Sequence, residues 1–140
     1  MATTSELYEK GKEVRIAVLG EAHVNRALAA RQSEFAQPLQ LFSTEYCWGR
    51  VWSRPELDRR SRSLINLAFL TAQHSWNELA VHTKGAIRNG LTEVEIREVV
   101  LQAMVYCGVP TGTHAMKVIA EAIDEMVKNG EHKRQLKEKV

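Results

Sequence analysis

The sequence predicts an all-α fold, a single-domain bundle of six or seven helices. Apolar residues recur at spacings of three and four along almost the whole 140-residue chain. No alternating run bounded by hairpin turns interrupts them. Glycines, prolines and capping residues fall where helices would start and stop. In chain order, Leu7, Val14 and Val18 share a helical face, and Gly20 reads as a C-terminal stop. Phe35, Leu39, Phe42 and Tyr46 repeat at four, three and four, which predicts a second amphipathic helix with Pro38 in its first turn. The stretch CWGRVWSRPELDRRSRS contains Gly49, Pro55 and a run of charges, and reads as an irregular connection into a helix beginning near Asp58.

That helix spans roughly Arg59 to His74 and is apolar at Leu64, Leu67, Ala68 and Thr71. Ser75 interrupts, and a further helix runs to about Asn89 and ends at Gly90. Thr92 followed by Glu95 is a capping box, opening a helix whose apolar face is Ile96, Val99, Val100, Ala103 and Met104. Gly108 ends it. Pro110 suits the first turn of the last long helix, which reaches about Asn129 before Gly130. The charged tail, 130–140, is expected to fray.

At 44% hydrophobic and 26% charged residues, the composition is that of a folded globular protein. A net charge of +2 is too small to indicate nucleic-acid binding. The apolar runs fall far short of the roughly 20 residues a membrane span needs. MATTSELYEKGKEV lacks the apolar core of a signal peptide, so a cytoplasmic location is expected. Cys47 and Cys107 are far apart and form no CxxC or Cys/His ligand pattern, so no structural zinc site is expected, only two partly buried thiols.

Three stretches could carry chemistry. In SWNELAVH, Glu78 and His82 are four apart and share one helix face. They read as an acid/base histidine with an orienting carboxylate, as a surface pair, or as Glu78 closing a capping box with Ser75. Around Trp48 and Trp52 lie Arg50, Arg54, Arg59, Arg60 and Arg62. Guanidinium forks bind carboxylates, so this group suits a small polyanion; the alternative is a set of surface arginines paired with Glu56 and Asp58. YCGVPTGTH, Tyr106 to His114, joins two helices and offers either anion-binding N–H groups or a plain turn. His23, His74 and His132 stand alone and are not expected to be catalytic.

Three segments together, VRIAVLGEAHVNRAL, WGRVWSRPELDRRSRSLINLA and NELAVHTKGAIRNGLTEVEIREVVLQAMVYCGVP, resemble the γ-carboxymuconolactone decarboxylase (4-carboxymuconolactone decarboxylase) family of the alkylhydroperoxidase D-like superfamily. The resemblance runs from about Tyr8 to Ala122. It implies a helical domain assembling into dimers and a ring-like hexamer, a site near subunit contacts, a small dicarboxylate lactone as substrate, and no metal or organic cofactor. No nucleic-acid or membrane partner is implied. Glu78 and His82 fall on the family's Glu-x-x-x-His positions and are the expected catalytic residues. Arg59 and Arg62 match positions suited to holding carboxylates, with Arg54 next; Trp52, Tyr106 and Cys107 complete the expected substrate-binding set. The implied reaction converts 4-carboxymuconolactone to 3-oxoadipate enol-lactone and carbon dioxide in the β-ketoadipate pathway.

Peroxidase relatives carry a CxxC in this region, which is absent here, and Cys107 has no resolving partner nearby, so a thiol peroxidase is the alternative. A further alternative is a relative that takes a different small lactone or acid. QHSWN, Gln73 to Asn77, departs from the family by placing the bulky Trp76 just before the Glu-x-x-x-His motif.

Overall fold

The structure, a computed structural model, describes residues 5–30 and 32–139. Among these are seven α-helices, one π-helical segment and no strand. They group into two compact units, one ending at Arg59 and the other beginning at Arg60.

In the first unit, α1 (Glu6–Leu19) is capped by Ser5, whose hydroxyl accepts the Tyr8 N–H at 3.0 Å. It is followed at once by α2 (Glu21–Ala30). The short α3 (Gln37–Phe42) runs directly into a π-helical segment, Ser43–Trp52. That segment packs on α1 at backbone distance. A Cβ on Gly11 would lie 2.0 Å from the Thr44 carbonyl oxygen, and one on Gly49 would lie 2.5 Å from that of Leu7. The buried Arg15 then donates to Gln40 Oε1 at 3.0 Å and Thr44 Oγ1 at 3.3 Å.

This arrangement corrects two expectations. Phe35, Leu39, Phe42 and Tyr46 do not form a buried face; they are exposed, Phe35 at 97%. The side of this segment that is buried carries Gln40, Thr44 and Trp48. Arg15 decides the matter, because a buried guanidinium requires oxygen acceptors that an apolar face cannot supply. The helix also continues through Trp52, and only 53–58 is irregular, because Gly49 is a contact point rather than a break. Gly11→Ala should therefore force the backbones apart at a cost of about 1–3 kcal/mol, as overpacking does. The check is the urea midpoint, which should fall without a change in slope. An unchanged midpoint would contradict the close crossing.

The second unit contains α4 (Arg59–Ala72, from Arg60 on), α5 (Trp76–Arg88), α6 (Glu93–Cys107) and α7 (Val109–Lys128). Its core includes Leu67, Leu79, Ile96, Val100 and Ile119, each at most 3% exposed. Full burial of such side chains contributes about 1.5–3 kcal/mol each. The Thr92–Glu95 capping box is formed in both directions.

The turn that closes α4 holds His74 at φ 57. Ser75 N–H bonds to the Leu70 carbonyl at 3.0 Å and His74 N–H to that of Thr71 at 3.2 Å, a Schellman closure. The same pair of bonds closes α5 around Gly90. A side chain in this left-handed conformation costs about 1–2 kcal/mol. At His74 the cost is offset by a 2.9 Å bond from Nε2 to Thr111 Oγ1 and by ring stacking on Trp76.

Part of the tail is bonded to the start of α6. The carboxylate of Glu93 accepts the N–H groups of Gln135 at 3.0 Å and Leu136 at 2.7 Å, and contacts His132 Nε2 at 2.8 Å. Glu93 is only 4% exposed. Among the described residues no helix is long and apolar enough to cross a membrane.

Candidate active site

His82 lies mid-way along α5 and is half-buried. Its Nδ1 is 3.0 Å from Nδ2 of Asn66 on α4. An amide –NH₂ only donates, so the ring nitrogen facing it accepts, and the neutral imidazole then carries its proton on Nε2. A second bond ties the same two helices: Asn89, the C-terminal cap of α5, donates from Nδ2 to Ser63 Oγ at 2.9 Å. Ser63 and Asn66 are three apart and share one face of α4. The amide that meets the imidazole is thereby held on a helix fixed to the end of α5.

Glu78 is exposed one turn before His82, and among the described residues it makes no hydrogen bond or ion pair. The Ser75 side chain does not cap α5, so the capping box read at Ser75 and Glu78 is not formed. Trp76 stacks with two imidazoles. Its ring lies 5.0 Å from His74 and 4.3 Å from His114, with interplanar angles of 15° and 14°. It also packs against the core of the second unit. His74 and His132, not expected to be catalytic, each hold a structural bond, to Thr111 and to Glu93.

Arg62 lies half-buried on α4. Tyr106 and Cys107, at the end of α6, line an apolar groove of about 770 Å³ with Leu64, Ala68, Phe69 and Val99. Trp76 and His82 are not among its walls. The Tyr106–His114 stretch forms a tight α6–α7 junction through Gly108, with Pro110 in the first turn of α7. Arg60 pairs with Glu95. The N–H and hydroxyl of Thr92 and the Arg60 guanidinium hold the Glu95 carboxyl below its ordinary range.

The other predicted residues belong to the first unit. Trp52 stacks on Trp48 at 4.9 Å and 26°. Arg54 pairs with Glu56 at 3.4 Å and lines a polar cleft of about 580 Å³ with Lys10 and Arg50. Arg59 is exposed at the end of that unit. Arg54, Arg59 and Arg62 are all engaged. The residue that sequence reasoning missed is Asn66. Its signal was present: an asparagine, a poor helix former, between Ile65 and Leu67 in an otherwise apolar run.

The model of the carboxymuconolactone decarboxylase family matches residues 37–121. The chain is 49% identical over 128 residues to the nitrosuccinic acid decarboxylase of Metarhizium robertsii, covering 91% of this chain and 89% of that protein. It is 40% identical over 119 residues to the 4-carboxymuconolactone decarboxylase of Acinetobacter baylyi, covering 85% of this chain and 88% of that protein.

Proposed function

The chain belongs to the carboxymuconolactone decarboxylase family, and from that premise we propose that it is a carboxy-lyase acting on 4-carboxymuconolactone, with His82 as its acid/base residue and no cofactor. The observation that carries the reading is the pairing of His82 with Asn66, which gives an oriented imidazole on the family's Glu-x-x-x-His motif.

In this lactone the carbon that loses carbon dioxide is conjugated through the ring double bond to the lactone carbonyl. When that C–C bond breaks, its electron pair flows to the carbonyl oxygen as a dienolate. The substrate is its own electron sink, which is the service a cofactor would otherwise give. The protein must hold two carboxylates, stabilise the oxyanion and return a proton to carbon. Arg62, Arg59 and Arg54 suit the first task. An imidazole suits the other two: its N–H donates to the oxyanion, and in its protonated form it hands a proton to the ring carbon, with water restoring it. Glu78, one turn earlier, adds negative charge near the ring. Trp52, Tyr106 and Cys107 are proposed to shape the binding surface. The exposed apolar residues of each unit, Phe35 and Phe42 in one and Phe69 and Val105 in the other, support assembly into a homo-oligomer, a hexamer by resemblance. A cytoplasmic setting and a place in aromatic catabolism follow from the same reading.

One observation favours a second substrate. The nitrosuccinic acid decarboxylase has the higher identity of the two relatives, 49% against 40%. Nitrosuccinic acid meets the same chemical demands: two carboxylates, one of them on a carbon whose electron pair can pass into a nitro group as a nitronate. Both substrates belong in the decisive assay. The purified protein is mixed with each acid, and carbon dioxide release is followed with the ultraviolet change. Turnover of the lactone supports the first reading and turnover of the nitro acid alone supports the second. Turnover of neither overturns both.

Arg62→Ala should chiefly raise KM if Arg62 holds the carboxylate that stays, because uniform binding affects KM and not kcat. An unchanged KM in the same assay would remove that role.

A further inference from the structure

We propose that Asn66 is a positioning residue that selects the Nε2–H tautomer of His82 and fixes the plane of its ring. The inference rests on the acid/base role proposed above for His82 and extends it to a named atom. The amide nitrogen of Asn66 lies 3.0 Å from Nδ1, so the hydrogen bond runs from the amide to the ring. With Nδ1 occupied as an acceptor, the single proton of the neutral imidazole resides on Nε2. Nε2–H is then the group presented to the oxyanion that develops as carbon dioxide leaves. A neutral imidazole acting as a donor in this way is an established means of polarising a carbonyl.

The amide also serves the protonated ring. A half-turn about its terminal bond replaces –NH₂ with Oδ1, which accepts from Nδ1–H. A carboxylate in the same place would accept only, and would draw the proton to Nδ1. An amide with its –NH₂ toward Nδ1, as here, leaves the proton on the far nitrogen, which a carboxylate cannot do. Its own placement is constrained, because Ser63, one turn earlier on the same face of α4, is bonded to the cap of α5 at Asn89. Asn66 and His82 are both half-buried, so bulk water does not replace the amide without cost.

The test is made on the full chain labelled with ¹⁵N-histidine, at about pH 8.5, where an ordinary imidazole is neutral. Long-range ¹H–¹⁵N correlation separates the two tautomers, and the His82 signals are assigned by their loss in His82→Gln. The wild-type ring should show the Nε2–H pattern. Asn66→Asp should move the proton to Nδ1, and Asn66→Ala should give a mixture. In turnover, both variants should lose kcat by about 10-fold or more with KM little changed, the pattern of a group that matters in the transition state. A wild-type ring in the Nδ1–H form overturns the proposal, as does a tautomer indifferent to both substitutions. A shifted tautomer with unchanged kcat also overturns the positioning role while leaving the decarboxylase reading intact. The spectra need no substrate, so failure to turn over either acid leaves the tautomer result standing.

Discussion

His82→Ala is expected to lower kcat by about 10²–10⁴-fold, the usual loss for a general acid/base group. At 1.36 kcal/mol per decade this is about 3–5 kcal/mol of transition-state stabilisation. KM should change little, because the imidazole acts on charge that develops during C–C cleavage rather than on the carboxylates that hold the ground state. The side chain is half-buried on the outer part of α5 and is not among the core residues of the second unit, so the fold should survive with a modest fall in Tm. Steady-state kinetics on the lactone or the nitro acid, whichever is turned over, decides it. Near-normal turnover would remove His82 from the mechanism. The companion variant is Cys107→Ser. This thiol is exposed at the end of α6, and its replacement should leave kcat largely intact. Complete inactivation would restore a thiol mechanism.

The largest effect on stability is expected at Glu93. Its carboxylate accepts two tail N–H groups and faces His132, in surroundings where acid and imidazole are 4% and 8% exposed. Glu93→Ala strands these partners and should cost about 3–5 kcal/mol, as removing one member of a buried pair does. That is a large share of the roughly 5–15 kcal/mol that holds a domain together. Glu93→Gln keeps one acceptor oxygen and should cost less. Burial opposes ionisation of this carboxyl, but the Gln135 and Leu136 N–H groups and the His132 ring outweigh it, and its pKa lies below the ordinary 4.5. A depressed folded-state pKa gives a contribution that is complete above the unfolded value and is lost as pH falls through the folded one. Urea midpoints of wild type and Glu93→Gln should therefore differ at neutral pH, begin to approach each other below about pH 4.5, and converge only as pH falls through the lower folded-state pKa. Equal midpoints at neutral pH would show that the clasp carries no stability.

The second unit was largely legible in the sequence. The capping box at Thr92 and Glu95, the stops at Gly90 and Gly108, and the face of Ile96, Val100 and Ala103 are local signals, and local geometry fulfils them. The first unit was less so, because its packing depends on contacts distant in sequence. Arg15 reaches Gln40 and Thr44, and the apolar period at Phe35, Leu39, Phe42 and Tyr46 gives no warning of a buried guanidinium. The contacts of the tail are hidden for the same reason: nothing in EHKRQLKEKV announces that Glu93 would bind its backbone. Within the candidate site, His82 was singled out by motif and resemblance. Asn66 left only the weak trace of a poor helix former in an apolar run, and nothing local says which side chain it meets.

Trp76 entered as an unexplained bulk and leaves as a built-in gauge. It is the single indole of the second unit, and two imidazoles stack with it. One ring belongs to the turn that closes α4, the helix of Asn66; the other belongs to the second turn of α7. Opening of the turn that closes α4 would unstack His74 from the indole and should change its emission. Trp48 and Trp52, stacked on each other in the first unit, provide a separate signal. Replacing those two with phenylalanine would leave an optical probe, without any attached dye, of local opening beside the helix that holds His82 in register.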